Sequence, residues 1–223
     1  MQRYQLIALS LIALFFNQVK ASELFDSVQD YCMGKPCQSG VFYYHIEKSL
    51  PRYCEGIAYV KSSPKKSHYL EHIAERVLQR GVPEEVIGIP LAETGLRPNR
   101  SSSAGAKGMW QFKAATAREN GLIVNATVDQ RFDWKASTEA GLGYVTQLIS
   151  SFGGDTALGV LAYNVGIGRL STKMKEYGIR SAFMLSKGIF AGKEGEHYLN
   201  RVYGYSFVYY NPHVCEVKSE VTL

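Results

Sequence analysis

The stretch PLAETGLRPNRSSSAGAKGMWQF, Pro90 to Phe112, constrains this chain more than any other. It opens with apolar residues at helical spacing and carries its single acid at Glu93. It then meets Gly95, the residue type that most easily takes the left-handed conformation that ends a helix. A polar, glycine-containing loop from Ser101 to Gly108 follows. A flexible linker would continue in that style, but this loop runs straight into Met109, Trp110 and Phe112, an apolar cluster that must be buried. Both ends of the loop are therefore anchored in one core, and the rest of the chain has to supply that core.

The rest supplies helices. Tyr69, Leu70, Ile73, Val77 and Leu78 recur at helical spacing and Gly81 closes the run. Pro83 then suits a helix start, with Glu84 and Glu85 in the first turn, and Val86, Ile87, Ile89 and Leu91 form a buried face. Pro90 predicts a kink late in this helix. A further helix is expected from Met109 or Trp110 to about Asn120. A long one follows, capped by Ser137 and ending at Gly153-Gly154. Asp155 or Thr156 caps another, Ala157 to Asn164, and Tyr198 to Tyr210 is the last and most aromatic. Strand signals are few; Val41-Phe42-Tyr43-Tyr44 is the clearest. The class is mainly α, compact and multi-helical.

Residues 1–21 read differently: Arg3, an apolar run from Leu6 to Phe16, then small residues around Ala21. This is the pattern of a signal peptide. A membrane anchor is the alternative, but spanning takes about 20 apolar residues and the run is shorter. The expectation is export, to the periplasm, with no stable membrane anchor. Loss of Arg3 and Lys20 takes the formal charge from +5 to +3, a mild excess that marks no nucleic-acid partner. Cys32, Cys37, Cys54 and Cys215 form an even set in an oxidising compartment, which suggests two disulfides in one of three pairings, one of them reaching Cys215. A metal site is disfavoured, since no histidine stands at ligand spacing beside them. Residues 22–66 read as a cysteine-containing N-terminal extension, with Lys61 to Lys66 an exposed turn or linker, and 211–223 as a C-terminal tail.

Glu93 is the candidate catalytic group. An apolar helix desolvates its carboxyl, and the carbonyl end of the helix dipole disfavours its negative charge. Both effects favour a protonated acid able to give its proton to a leaving oxygen. From position alone, an ordinary surface glutamate at a fraying helix end is the better reading. The adjoining loop, whose small residues let a bound polymer approach the backbone, shifts the balance.

The chain carries Glu93-Thr94, then Ser102-Ser103-Ala104-Gly105-Ala106-Lys107-Gly108-Met109-Trp110-Gln111, Asp129-Gln130-Arg131, Ser137-Thr138, Ala162-Tyr163-Asn164, and Glu194-Gly195-Glu196-His197-Tyr198-Leu199. In kind and order these motifs resemble those of the lytic transglycosylases of the soluble-lytic type, closest to the membrane-bound D branch, over roughly residues 69–208. Three departures stand out: Thr94 for serine, Lys113-Ala114 for Met-Pro, and Gly195 for threonine.

The resemblance implies a lysozyme-like helical domain over residues 67–210 that uses no metal or cofactor. Its partner would be the glycan strand of peptidoglycan, with cell-envelope machinery a further partner class. Glu93 would be the sole acid and base. Thr94, Ser102, Gln111, Tyr163, Glu194 and Tyr198 would contact or orient the glycan. Tyr163 has a plain alternative as a core aromatic whose hydroxyl needs a partner. The implied reaction cleaves the MurNAc–GlcNAc bond without water and leaves a 1,6-anhydro end. The alternatives are a hydrolytic muramidase on the same fold, which could use Asp129, Asp133 or Glu139 as second carboxylate, and a non-catalytic glycan-binding protein.

Overall fold

A computed structural model describes residues 21–33, 39–186 and 192–218. All but the last residue of the expected signal peptide 1–21, together with Cys37 and the side chain of Glu194, falls outside the described residues. Helix α1 covers 21–32. It is followed by α2 (Ser39–Ser62), α3 (Pro64–Gln79), α4 (Gly88–Thr94), α5 (Ala114–Glu119), α6 (Trp134–Ser151), α7 (Thr156–Val165), α8 (Ile167–Tyr177), α9 (Ala182–Ser186) and α10 (Gly192–Tyr210). Three 3₁₀ turns (Glu84–Ile87, Gln130–Phe132 and Pro212–Lys218) join them. Isolated bridges at Ser101–Lys107, Lys107–Phe112 and Val124–Asp129 are the β-type pairing among the described residues.

The fold is built around α10. Its Tyr198, Leu199, Val202, Tyr203 and Phe207 are fully buried, and the helix packs against α2, α4, α7 and the 3₁₀ turn at Glu84–Ile87. Glycines bring backbones close where helices cross. A Cβ on Gly88 would collide with the carbonyl of Val202, so α4 touches α10 main chain to main chain. Gly204 leaves room for the Tyr53 ring and Gly141 for the Trp110 ring. The disulfide Cys54–Cys215 joins α2 to the last 3₁₀ turn, and Cys32 is disulfide-bonded too.

Several local expectations change. Val41 to Tyr44 lies in α2 rather than in a strand, because the apolar positions that follow, Ile46, Leu50, Tyr53, Ile57 and Val60, continue at helical spacing and bury one face. The expected turn at Lys61 to Lys66 narrows to Ser63, with Pro64 opening α3. Leu78 is 81% exposed, past the buried stripe Tyr69, Leu70, Ile73 and Val77. The helix expected after Pro83 splits into a 3₁₀ turn and α4. Pro90 is therefore the third residue of α4, where its missing N–H breaks no hydrogen bond, and no kink is needed. The helix expected from Met109 starts at Ala114 instead, because Gln111 takes φ +52°, which no right-handed helix accommodates. Asp133, not Ser137, caps α6, accepting from Lys135 N at 2.9 Å and Ala136 N at 3.1 Å. Asp155 caps α7 through Leu158 N at 2.9 Å.

Candidate active site

Of the seven residues of α4, Gly88, Ile89, Pro90, Leu91, Ala92 and Thr94 are buried. Glu93 alone is partly exposed. The helix ends as the sequence requires: Gly95 adopts φ +59° and its N–H bonds Leu91 O at 3.0 Å. Thr94 is 3% exposed and its hydroxyl is committed to the backbone. It donates to Met109 O at 3.1 Å and accepts from Arg97 N at 3.1 Å. Thr94 thus ties the end of α4 to the far end of the loop, one residue from the acid.

The loop is ordered by its own bonds. Lys107 and Phe112 exchange N–H···O bonds at 3.0 and 3.1 Å, and Gly108 N donates to Arg100 O at 2.8 Å. Ser102 is exposed and makes its hydrogen bonds inside its own turn, its Oγ accepting from Ala106 N at 3.0 Å. The Gln111 side-chain nitrogen donates to Gly108 O at 2.8 Å and Arg100 O at 3.3 Å, bracing the left-handed turn it occupies.

One residue that matters here was not assigned a role from sequence. Arg131 is 4% exposed and bolts the loop from beneath. Its Nε and Nη2 grip Asp129 at 2.8 and 2.7 Å, while Nη1 donates to Gly105 O and Phe112 O, both at 3.2 Å. Gly108 passes directly over the Arg131 carbonyl, where a Cβ would not fit. The Asp-x-Arg spacing was the signal: two residues apart across a tight turn is the reach of a bidentate fork. The paired cations hold the Asp129 carboxyl down at about 2.

Two tyrosines converge on Glu93 from the core. Tyr163, on α7, donates to Trp110 O at 2.7 Å, and Trp110 is itself held by Nε1 to Thr138 Oγ1 at 3.2 Å. Burial first, and then the negative charge of Glu93, push the Tyr163 phenol well above its ordinary range. Tyr198, on α10, has no exposed surface. Burial and then Glu93, by charge and by hydrogen-bonding reach, raise its phenol likewise. Yet the Tyr198 hydroxyl completes no hydrogen bond of ordinary geometry. It lies near the carboxylate without being seated on it. The structure thus gathers Glu93, Tyr163 and Tyr198, with Thr94 and Gln111 supporting them through the loop. Glu194 contributes its backbone to α10.

On its solvent side Glu93 lines a cleft of about 390 Å³ together with Arg52, Tyr59, Lys66, Arg97, Arg201 and Tyr205. The carboxyl thus stands between these cations on its solvent side and the two tyrosines behind it. The three carboxylates that the sequence offered as partners are engaged elsewhere. Asp129 is gripped by Arg131 and Lys107, Glu139 bridges Arg76 and Arg80 at 2.7 and 2.6 Å, and Asp133 caps α6.

The membrane-bound lytic murein transglycosylase D of Escherichia coli K12 is 34% identical over 131 residues, which is 58% of this chain and 29% of that protein. The peptidoglycan transglycosylase gp16 of phage T7 is 33% identical over 113 residues, 49% of this chain and 8% of that one. The chain therefore spans less than a third of either relative's length. Among solved structures, an inactive mutant of the lytic transglycosylase Slt from Pseudomonas aeruginosa superposes with a TM-score of 0.53, at 24% identity, over 64% of this chain and 24% of that one, and shares the fold. The profile of the Transglycosylase SLT domain matches residues 72–184, the segment that holds α4, its loop and Tyr163. This chain belongs to the Transglycosylase SLT-domain family.

Proposed function

We propose that the protein is a peptidoglycan lytic transglycosylase that cuts the MurNAc–GlcNAc bond and leaves a 1,6-anhydro-MurNAc end. The observation that carries this reading is the lining of the cleft: among the described residues, Glu93 is its one carboxylate. A hydrolase of the two-carboxylate kind needs another acid to activate water or to form a covalent intermediate. A single carboxyl suffices when the nucleophile belongs to the substrate.

Glu93, protonated when the strand docks, gives its proton to the bridging oxygen as that bond breaks. Positive character develops at the anomeric carbon of the MurNAc residue. The Glu93 carboxylate then takes the proton of the same sugar's 6-hydroxyl, whose oxygen bonds to the anomeric carbon and closes the ring. Proton and bond counts balance without water. The internal hydroxyl is already adjacent, which supplies the proximity an external nucleophile would lack. Tyr198 sits where its free hydroxyl can steady the carboxylate between the two proton transfers, and Tyr163 holds the Trp110–Gln111 backbone that borders the site. Ser102 and Gln111 offer polar groups on the loop side. Thr94 acts through the loop rather than on the sugar. An exported, oxidising location fits the Cys54–Cys215 bridge, and no helix among the described residues is long and apolar enough to cross a membrane.

The test is product mass. Digestion of purified sacculi is expected to release fragments lighter by one water than hydrolytic fragments; reducing ends would assign a muramidase instead. Glu93→Gln is expected to lower the rate at least about a thousandfold, in the range of a lost general acid, with circular dichroism and melting unchanged. Normal wall turnover by that variant would leave only a binding role.

A further inference from the structure

Helix α8 leaves most of its apolar side uncovered. Ile167, Leu170, Met174 and Tyr177 recur at i, i+3, i+7 and i+10, the spacing of a single apolar stripe. Only Leu170 is buried, where α8 packs against α7. Met174 is half-buried, while Ile167 and Tyr177 are 39% and 45% exposed. Scattered exposed apolar residues need no account, but a stripe at helical spacing with one member covered is a face that a second helix fits. Beside the stripe, a cavity of about 650 Å³ separates α8 from the turn between α6 and α7, within the size range of ligand clefts. Phe152, Leu158 and Met174 are its apolar lining, and Ser151 and Ser171 add hydroxyls. Gly153 and Gly178 line it too, at φ +67° and +65°, and a Cβ added at either would meet no other atom within 4 Å. The cavity shares no lining residue with the Glu93 cleft. Asp155, in its lining, precedes Tyr163 by about 12 Å of helix rise.

The charge around this recess is one-sided. From Ile167 to Arg180 the chain carries Arg169, Lys173, Lys175 and Arg180 against Glu176 alone. Lys173 takes Glu176 at 2.7 Å. Lys175 and Arg180 are exposed, line the cavity, and form no ion pair among the described residues. The one carboxylate in the lining, Asp155, is committed to the cap of α7. A two-fold contact between copies of α8 would set this positive excess against itself, so the partner that fits is of opposite sign. An anionic lipid surface has that sign but no shape that enters a recess.

We propose that α8 and the cavity beside it dock an acidic amphipathic helix of a partner protein, its apolar side chains entering between Phe152, Leu158 and Met174 and its carboxylates meeting Lys175 and Arg180. The apolar anchors supply affinity, and the two cations select the sign and register of the incoming helix. Because the recess and the Glu93 cleft share no lining residue, this binding is separable by mutation from anything that enters at Glu93.

The probe is a labelled synthetic peptide of about 20 residues, long enough to form a helix alone, with leucine at the a and d positions and glutamate and alanine elsewhere. Fluorescence anisotropy follows its titration with the full oxidised chain. One control peptide replaces glutamate by lysine, and another keeps the composition but scrambles the leucines off the stripe. The acidic amphipathic peptide is expected to bind at least about tenfold more tightly than either control, as apolar anchors with two rim charges allow, and less tightly as salt rises. Lys175→Glu with Arg180→Glu should remove that advantage. Gly178→Asn, which suits the left-handed cap of α8 and adds a side chain to the cavity lining, should weaken binding about tenfold as well. Both variants should keep the circular dichroism and sacculus turnover of the parent. Arg52→Gln with Arg201→Gln, in the Glu93 cleft, should leave peptide binding unchanged. Equal binding of the three peptides would overturn the proposal, as would binding lost in the Arg52 and Arg201 variant but kept in the Lys175 and Arg180 variant. Vesicles of anionic lipid held more tightly than the peptide, through the same two cations, would assign the face to a membrane. A dimer of the free protein that Gly178→Asn dissociates would assign it to a second copy. Either result overturns the acidic partner.

Discussion

The phenolic hydroxyl of Tyr163 donates to the main-chain carbonyl of Trp110 across 2.7 Å, joining α7 to the loop that follows the candidate acid. The bond fixes the peptide unit directly before Gln111, the residue forced to φ +52°. Left-handed backbone at a non-glycine residue is held only where its surroundings over-determine it. Tyr163, Gly108 and Arg100 together do that here.

Tyr163→Phe should therefore act on both stability and turnover. Leaving the Trp110 carbonyl without its partner should cost about 1–3 kcal/mol, read as a lower denaturant midpoint at unchanged slope. Turnover of sacculi should fall by more than the folded fraction does, because the loop beside Glu93 loses its brace. Full stability with normal turnover would show that the ring, and not the hydroxyl, is what the site needs.

Arg131 is the second brace. Arg131→Met removes both the fork to Asp129 and the donors to Gly105 O and Phe112 O. Breaking a buried, hydrogen-bonded pair costs about 3–5 kcal/mol. Arg131→Lys keeps the charge without the fork and should recover only part of the loss. Urea unfolding measures the first effect, and faster proteolytic nicking between Ser101 and Gly108 would report that the loop has opened. A lysine variant as stable as the wild type would reduce the interaction to simple charge.

Two pH windows should separate. His45 is pushed down from 6.5 to about 4 by burial and then by His197. In the unfolded chain it takes a proton as the pH drops through 6.5, while the folded chain refuses it until about 4, so stability is present above 6.5 and is lost progressively toward 4. His72 is shifted downward as well, chiefly by burial, and adds with the same sign. Asp129, lowered from 3.8 to about 2, contributes stability that is present above 3.8 and lost as the pH falls through 2. Urea midpoints measured from pH 7 to 3 should show the first loss before the second. His45→Gln should shrink the upper window to the part His72 supplies and leave the lower one; a curve unaltered between 6.5 and 4 would refute the assignment.

Much of this was legible in the sequence, and for local reasons. Gly95 as helix terminator, Asp155 as a cap and the apolar faces of α3 and α6 follow from spacing and residue type. The ordered motifs alone point to the family. What spacing could not reveal was decided at a distance. Val41 to Tyr44 reads as a strand in isolation and becomes helical because the positions after it bury one face under α10. Met109 to Phe112 reads as a helix start and is instead a left-handed turn, because Thr94, Arg131 and Tyr163 reach it from other elements. The basic lining of the Glu93 cleft was invisible in the sequence, since Arg52, Lys66, Arg97 and Arg201 come from α2, α3, the loop after α4, and α10, and no single segment looks basic enough to mark it.

The missing side chain at Gly88 has a mechanical corollary. With the main chain of α4 lying directly on the carbonyl of Val202, no compressible layer separates the two helices. The position of α10 at Val202 and that of the short helix carrying Glu93 are set by the same contact. A methyl group added at Gly88 would therefore have to push the helix bearing Glu93 bodily away from α10.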